Sequence, residues 1–302
     1  MIEILHVSDL HIGKSRKQTK QVIGLLDKID AKYNVSNKTN NSYLLITGDI
    51  VDIGTEQNYQ LALGILSRFK GKLFIVPGNH DCCEKAPAFT EAFLKILRLL
   101  FPVIPGFYYT AESAQRFDSF AEGLGISYKF FSDGLPFFWT LKDGAKAEVE
   151  LFGINSCVRL KLGSSLGLVG YQQLKYLDEE LSNRIEIPKI VFLHHRPEEG
   201  GSWLFMTLQD WEDLIKIADK RASIIAFGHE GPMEELKRKQ RAKLAMSRGM
   251  EVRTSQKEAG SGNALRLLDA DRSVPEQACY RIRVDNEDIS VTKEDLQKQD
   301  SL

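Results

Sequence analysis

The sequence lacks an excess of charge of either sign. Lys and Arg number 40 and Asp and Glu number 41, which leaves a formal net charge of −1 over 302 residues. A net charge this small argues against a strong overall attraction to nucleic acids or membrane surfaces, but it leaves room for a local patch. Hydrophobic residues make up 43% of the chain. With normal hydrophobic content and almost no net charge, a disordered protein is excluded.

Cysteine and long apolar runs are also scarce. The four cysteines are too few for a disulfide scaffold, and the neighbouring Cys82 and Cys83 would form a strained bridge, so all four are predicted to be reduced thiols. No window approaches 18 uninterrupted apolar residues, which argues against a membrane span. The N-terminus reads as a strand from its first residues, so we expect no signal peptide and a cytoplasmic protein. The oligomeric state is left open.

Short apolar strands alternate with helical stretches, and strand hairpins follow. Ile2–Val7, Tyr43–Thr47 and Leu73–Val76 have the length and composition of buried strands. Later in the chain, Ile190–Leu193 and Ser223–Phe227 have the same character. The pattern predicts an α/β protein with mixed sheets covered by helices.

Five of the six histidines directly follow these apolar runs. The motifs are Asp9-Leu-His11, Gly48-Asp49, Gly78-Asn79-His80-Asp81, His194-His195 and Gly228-His229. Because ligands of open α/β sheets bind outside the carboxyl ends of the strands, these motifs are expected to share one crevice. The sixth histidine, His6, lies inside the first strand and is interpreted as a core residue.

The chemistry of these side chains suits a pair of divalent metal ions. Imidazole and carboxylate groups are ligands for Zn, Mn, Fe and Co. Asp49 can bridge two cations, because a carboxylate offers several lone pairs. Each motif is weak alone, since a lone buried histidine is more often a core residue. Their joint occurrence, in order and at strand ends, predicts the metal pair.

These motifs resemble those of the calcineurin-like metallophosphoesterase superfamily, from Ile2 to about Gly231. The resemblance implies a four-layer α-β-β-α sandwich with two mixed sheets and a metal site at the C-terminal strand ends. We expect a single domain over residues 1–302, with a basic insertion at about 232–262 and a strand hairpin at about 279–292.

The resemblance also implies two divalent metal ions, which would be Mn, Fe or Zn, with Mn favoured. The first metal is assigned Asp9, His11 and Asp49. The second is assigned Asp49, Asn79, His194 and His229. His194 is preferred over His195 because it directly follows the strand.

One position departs from the family pattern. The last motif of the family ends in a second histidine, and Gly231 stands there instead. Water, Glu230 or another side chain would then complete the first metal site, or that metal would bind weakly. A catalytically silent scaffold that keeps the fold is the alternative that this glycine leaves open.

The predicted activity is metal-dependent hydrolysis of a phosphate ester, in which a metal-bridging hydroxide attacks phosphorus. His80 is the general acid that the resemblance implies. Asp81 is expected either to orient His80 or to cap the turn. His195 and Arg196 are candidates for the phosphate pocket.

The substrate is predicted to be a phosphodiester in preference to a monoester. A nuclease of the DNA-repair branch is an alternative, because the opening HVSDLHIG resembles that branch and Lys237–Lys257 is basic. That segment is either a solvated helix face or a site for a nucleotide or nucleic acid. The neutral net charge counts against a nuclease.

Overall fold

The computed structural model describes residues 1–85, 107–144, 147–157, 166–183, 187–197, 208–218, 221–229, 266–269, 279–285 and 288–294. Within these ranges the strands are β1 (Ile2–Val7), β2 (Ser42–Thr47), β3 (Leu73–Val76), β4 (Cys83–Lys85), β5 (Phe107–Tyr109), β6 (Phe137–Asp143), β7 (Ala147–Gly153), β8 (Lys189–Phe192), β9 (Ile224–Phe227), β10 (Arg266–Asp269), β11 (Cys279–Asp285) and β12 (Asp288–Glu294). The helices are α1 (Arg16–Tyr33), α2 (Glu56–Leu66), α3 (Ala111–Gly123), α4 (Tyr171–Leu181) and α5 (Trp211–Ala218), with a 3₁₀ turn at Ser67–Phe69. None of these helices has both the length and the apolar character needed to cross a membrane.

The strands form two five-stranded mixed sheets and one small two-stranded sheet. The first sheet has the order β12-β11-β1-β2-β3, in which β1, β2 and β3 are parallel and β11 is antiparallel to β1. The second has the order β10-β9-β8-β7-β6, in which only β6 is antiparallel to its neighbour. The predicted α/β class with two mixed sheets is confirmed.

The three central strands of the second sheet, β7, β8 and β9, are buried on both faces. Side chains alternate along a strand, so neighbouring residues of β7, β8 and β9 belong to different cores. One set packs with residues of the first sheet: Leu151, Ile190, Ile224. The next residue of each strand packs with α4 and α5 instead: Phe152, Val191, Ile225. The two sheets therefore meet face to face.

Helix α1 fixes the loop that follows β1. Its N-cap is Ser15, whose side chain accepts a hydrogen bond from the third residue of the helix. Val22, Leu26 and Ile29 recur at helical spacing and are fully buried. The helix ends at Asn34, which has the left-handed conformation typical of a C-cap. Helix α1, which begins just after the β1 loop, is thus capped at both of its ends.

His6 makes the stability of the fold depend on pH. It is fully buried in β1, with Nε2 3.0 Å from Thr47 Oγ1. Burial lowers the pKa of His6 to about 3. Between pH 6.5 and 3 the unfolded chain therefore binds more protons at this site, so stability falls as the pH falls. We expect this residue to remove about 2 kcal/mol of unfolding free energy between pH 6.5 and 5.

Urea denaturation of the wild type and of His6→Gln, measured from pH 5 to 7.5, checks this expectation. The two stability curves should converge at low pH, because the variant lacks the titrating group. Parallel curves would show that His6 does not carry the effect.

Candidate metal centre

The carboxyl ends of five strands meet at one edge of the two sheets. Adjacent parallel strands β1, β2 and β3 end there in the first sheet, and β8 and β9 end there in the second. The side chains that they bring together are Asp9, His11, Asp49, Asn79, His80, His194 and His229. A hydrogen bond from the His229 amide to Asp9 Oδ2, at 3.2 Å, joins the two sheets across this edge.

The backbone at these strand ends is strained. Five non-glycine residues in the described ranges have a positive φ, and four of them are predicted metal ligands: Asp9 (54°), His11 (44°), Asp49 (49°) and His229 (69°). Such a conformation costs about 1–3 kcal/mol at each residue and persists mainly at functional sites. The turns thus aim these side chains into the centre at the expense of stability.

Asp49 also requires a glycine opposite it. A Cβ added at Gly78 would lie 2.2 Å from both the amide nitrogen and Oδ1 of Asp49. This is closer than any real contact, so the turn before Asn79 packs on Asp49 only because residue 78 has no side chain. The first position of the Gly-Asn-His-Asp motif therefore requires glycine for steric reasons.

Four of the predicted ligands form a largely buried set, which we call the His194 group: Asp49, Asn79, His194 and His229. His194 Nε2 lies 3.0 Å from Asn79 Oδ1 and 3.4 Å from Asp49 Oδ1. His229 Nδ1 lies 3.0 Å from the same nitrogen. The two histidines and Asp49 are at most 7% exposed.

The donor atoms of the His194 group fit a cation. His194 Nδ1 donates to the Thr47 carbonyl at 2.9 Å, and a carbonyl can only accept. In neutral His194, Nε2 therefore carries a lone pair that faces the oxygens of Asn79 and Asp49. Metal-binding histidines commonly donate their other nitrogen to a carbonyl in this way. Lone pairs of a ring nitrogen, an amide oxygen and a carboxylate oxygen that converge in this way suit a positive ion.

A second set, the His11 group, comprises Asp9, His11, Asp49 and His80. His11 Nε2 lies 3.8 Å from Asp49 Oδ2 and 4.0 Å from Asp9 Oδ1. The rings of His11 and His80 meet edge to face, with centroids 4.6 Å apart. The two oxygens of Asp49 thus face different groups, as a bridging carboxylate requires.

His80 is oriented by a hydrogen bond to the backbone carbonyl of Asp52, which is not among the predicted site residues. His80 Nδ1 lies 2.8 Å from the Asp52 carbonyl oxygen, and the Asp52 carboxylate lies 3.7 Å from His11 Nδ1. The Asp81 carboxylate instead accepts hydrogen bonds from the amides of Ile50, Val51 and Gly78, at 2.8 to 3.2 Å. Of the two roles expected for Asp81, these bonds are those of a turn cap.

The remaining candidates differ in their surroundings. His195 is fully buried, with its ring against those of His194 and His229, and does not line an open surface. Arg196 is partly exposed. All four cysteines are free and buried, as predicted. Glu230, Gly231 and the basic segment Lys237–Lys257 lie outside the described residues.

Burial and neighbouring charges shift the acidities of the centre. Burial raises the pKa of Asp9 to about 6. Burial also acts to raise the pKa of Asp49, but the imidazoles around it, His194 foremost, outweigh this and lower it. Burial lowers the pKa of His11 to about 4, so its ring is neutral at pH 7. In the described part of the chain, neither Asp9 nor Asp49 forms an ion pair with Lys or Arg. A neutral His11 imidazole beside the buried carboxylates of Asp9 and Asp49 forms a donor set that fits divalent cations.

Asp52 and Ser156 are the residues near the centre that sequence reasoning missed. Asp52 follows Asp49 by three residues, and this spacing within a strand-end loop was the available signal. Ser156 carries no motif, and its contact with His195 spans 39 residues of the chain. Only the folded chain reveals it.

Comparison with known proteins identifies the family. A probable cyclic nucleotide phosphodiesterase from Coxiella burnetii is 23% identical over 76% of this chain and 75% of the relative. A 3′,5′-cyclic-nucleotide phosphodiesterase from Nostoc is 25% identical over 76% and 71%. A glycerophosphodiester phosphodiesterase from Enterobacter lignolyticus is 26% identical over 66% of this chain and 58% of the relative, less than two thirds of its length. A family model for calcineurin-like phosphoesterases matches residues 2–233, so the chain belongs to this family of metal-dependent hydrolases of phosphoric esters.

Proposed function

We propose that the chain hydrolyses phosphodiesters at this centre with two divalent ions. The observation that carries the proposal is the placement of Asp49 between the His194 group and the His11 group, with one oxygen toward each. Asp49, Asn79, His194 and His229 would hold one ion. Asp9, His11 and Asp49 would hold the other.

Manganese is the metal that we favour, because the donors combine imidazole nitrogens with carboxylate and amide oxygens. When bound, two such ions neutralise charge on the phosphoryl oxygens and make a coordinated water more acidic. The chain itself supplies orientation, since the backbone carbonyl of Thr47 holds His194 in one tautomer.

His80 is proposed as the proton donor to the leaving oxygen. The Asp52 carbonyl can only accept, so the hydrogen bond at 2.8 Å keeps a proton on His80 Nδ1. Proton exchange is then confined to Nε2. A second hydrogen bond, from the His80 amide to Asp49 Oδ1 at 2.9 Å, fixes the residue against the proposed bridging carboxylate.

The preference for diesters is supported by the relatives, whose names describe phosphodiesterases of cyclic nucleotides and of glycerophosphodiesters.

A series of aryl phosphodiesters with leaving phenols of increasing pKa tests the function and the acid together. We expect His80→Ala to lower kcat about 10²–10⁴-fold for the poorest leaving group and much less for the best one. His80→Asn is the polar control. An equal loss across the series would contradict the assignment of His80 as the acid.

A basic cluster beside the centre is expected to draw in anionic substrates. Lys14, Arg16, Lys17 and Lys20 are exposed at the start of α1, whose first turn has no acidic residue. Cations are unfavourable at this end of a helix. None of the four forms an ion pair with another described residue. The Lys14 amide donates to the His11 carbonyl at 3.2 Å, so the cluster adjoins the His11 group.

Replacing Lys14, Arg16 and Lys17 together by glutamine is expected to raise KM roughly 5-fold at low salt and to leave kcat unchanged, because exposed charges act through long-range attraction. The difference should shrink as salt is added. Lys28→Gln, an exposed position later on the same helix, is the matched control. A KM that is unchanged at low salt would count against the role of the cluster.

A further inference from the structure

His195 is a buried histidine that the proposed mechanism does not use. Its ring centroid lies 4.4 Å from that of His229 and 5.1 Å from that of His194. It therefore packs directly on the two imidazoles of the His194 group. The second torsion of a histidine side chain is broad, so the tilt of a metal-binding ring depends on what packs against it.

Ser156 holds His195 by two hydrogen bonds. Its Oγ accepts from the His195 amide at 3.2 Å and lies 2.8 Å from His195 Nδ1. Ser156 is fully buried, and its own carbonyl accepts from the Leu168 amide at 3.0 Å. One anchored hydroxyl thus fixes both the backbone and the ring of His195.

Gly167 packs closely against the same side chain. A Cβ at residue 167 would lie 2.4 Å from His195 Cγ and 2.6 Å from its Cβ. The backbone of Gly167 cannot easily move away from the ring, because its carbonyl accepts a hydrogen bond from the Gln209 amide at 2.9 Å. The φ of Gly167 is one that other residues readily adopt. The close contact with His195, and not the backbone conformation, therefore requires a glycine here.

We propose that His195 is a positioning residue: held by Ser156 and packed closely against Gly167, its ring sets the tilt of His229 and His194 and thereby the affinity of the His194 group for its ion. The inference rests on the proposed function only in taking the His194 group as a metal site. It replaces the expected contact of His195 with substrate.

Titration of metal-stripped protein with Co²⁺, followed by visible absorption, tests the proposal without reference to turnover. Ser156→Ala removes both hydrogen bonds, and Gly167→Ala displaces the ring. We expect each variant to weaken binding of the Co²⁺ ion held by the His194 group about 10–100-fold and to alter the absorption bands of that ion. His195→Ala should do the same. His195→Phe keeps a flat ring, so it should restore affinity to within a few-fold of the wild type.

Gly64→Ala is the matched control, because a Cβ there meets nothing within 4 Å. If Gly167→Ala does not fold, Ser156→Ala carries the test. Wild-type affinity and absorption in Ser156→Ala and His195→Ala would overturn the proposal, as would equal losses in His195→Phe and His195→Ala. A wild type that binds no Co²⁺ would instead refute the proposed function.

Discussion

Asp49→Asn is expected to abolish turnover and to remove both metal ions. The variant keeps the size of the side chain but loses the charge and one acceptor oxygen of the residue that faces both groups of ligands. Even an outer partner of a metal ligand typically contributes about 10–100-fold to affinity or activity. We therefore expect kcat/KM for an aryl phosphodiester to fall by roughly 10³-fold or more. Metal content after dialysis, measured by elemental analysis, should fall with it.

Asp27→Asn makes the same chemical change on the exposed face of α1 and serves as its control. It should retain wild-type turnover and metal content. Two tightly bound ions in Asp49→Asn, or a loss of activity below 10-fold, would contradict the bridging role of this carboxylate.

Asp81→Ala is expected to cause a large loss of stability. The Asp81 carboxylate is completely buried and accepts hydrogen bonds from the amides of Ile50, Val51 and Gly78. Alanine would leave three buried amides without this acceptor, and each unsatisfied group costs about 1–3 kcal/mol. The free energy of unfolding in urea should therefore fall by about 3 kcal/mol or more.

Asp81→Asn retains one acceptor oxygen and should fall between the wild type and the alanine variant. If the residue acts as a turn cap, the dependence of kcat on the leaving group should stay unchanged in Asp81→Asn. A variant that is fully stable yet loses most activity with the poorest leaving group, as expected for His80→Ala, would show that Asp81 instead orients His80.

The strand ends that carry the site could be predicted from the sequence, because their signals are local. Leu73–Val76 is the strand predicted, and it is followed at once by the Gly-Asn-His-Asp turn. Once β1, β2 and β3 are known to be parallel neighbours, Asp9, Asp49 and Asn79 must meet at one edge.

The supporting contacts could not be predicted, because they depend on chain segments that are far apart. Thr47 reaches His194 across 147 residues, and Ser156 reaches His195 across 39. The short strands β5 and β10 also escaped prediction. Three or four residues carry too little periodicity to identify a strand without its partner.

The left-handed backbone conformation of Asp9 and Asp49 could not be predicted from the sequence either. Neither aspartate nor histidine prefers a positive φ over ordinary conformations, so local propensity predicts the opposite. Strain of this kind is imposed by the packing of the whole site.

Turnover of an aryl phosphodiester and an aryl phosphomonoester by metal-stripped protein, before and after refilling with Mn²⁺, tests the central claim most directly. We expect no activity in the stripped protein, recovery with Mn²⁺ and a higher kcat/KM for the diester. Protein that binds Mn²⁺ at the centre yet hydrolyses neither ester would contradict it and would favour a catalytically silent scaffold.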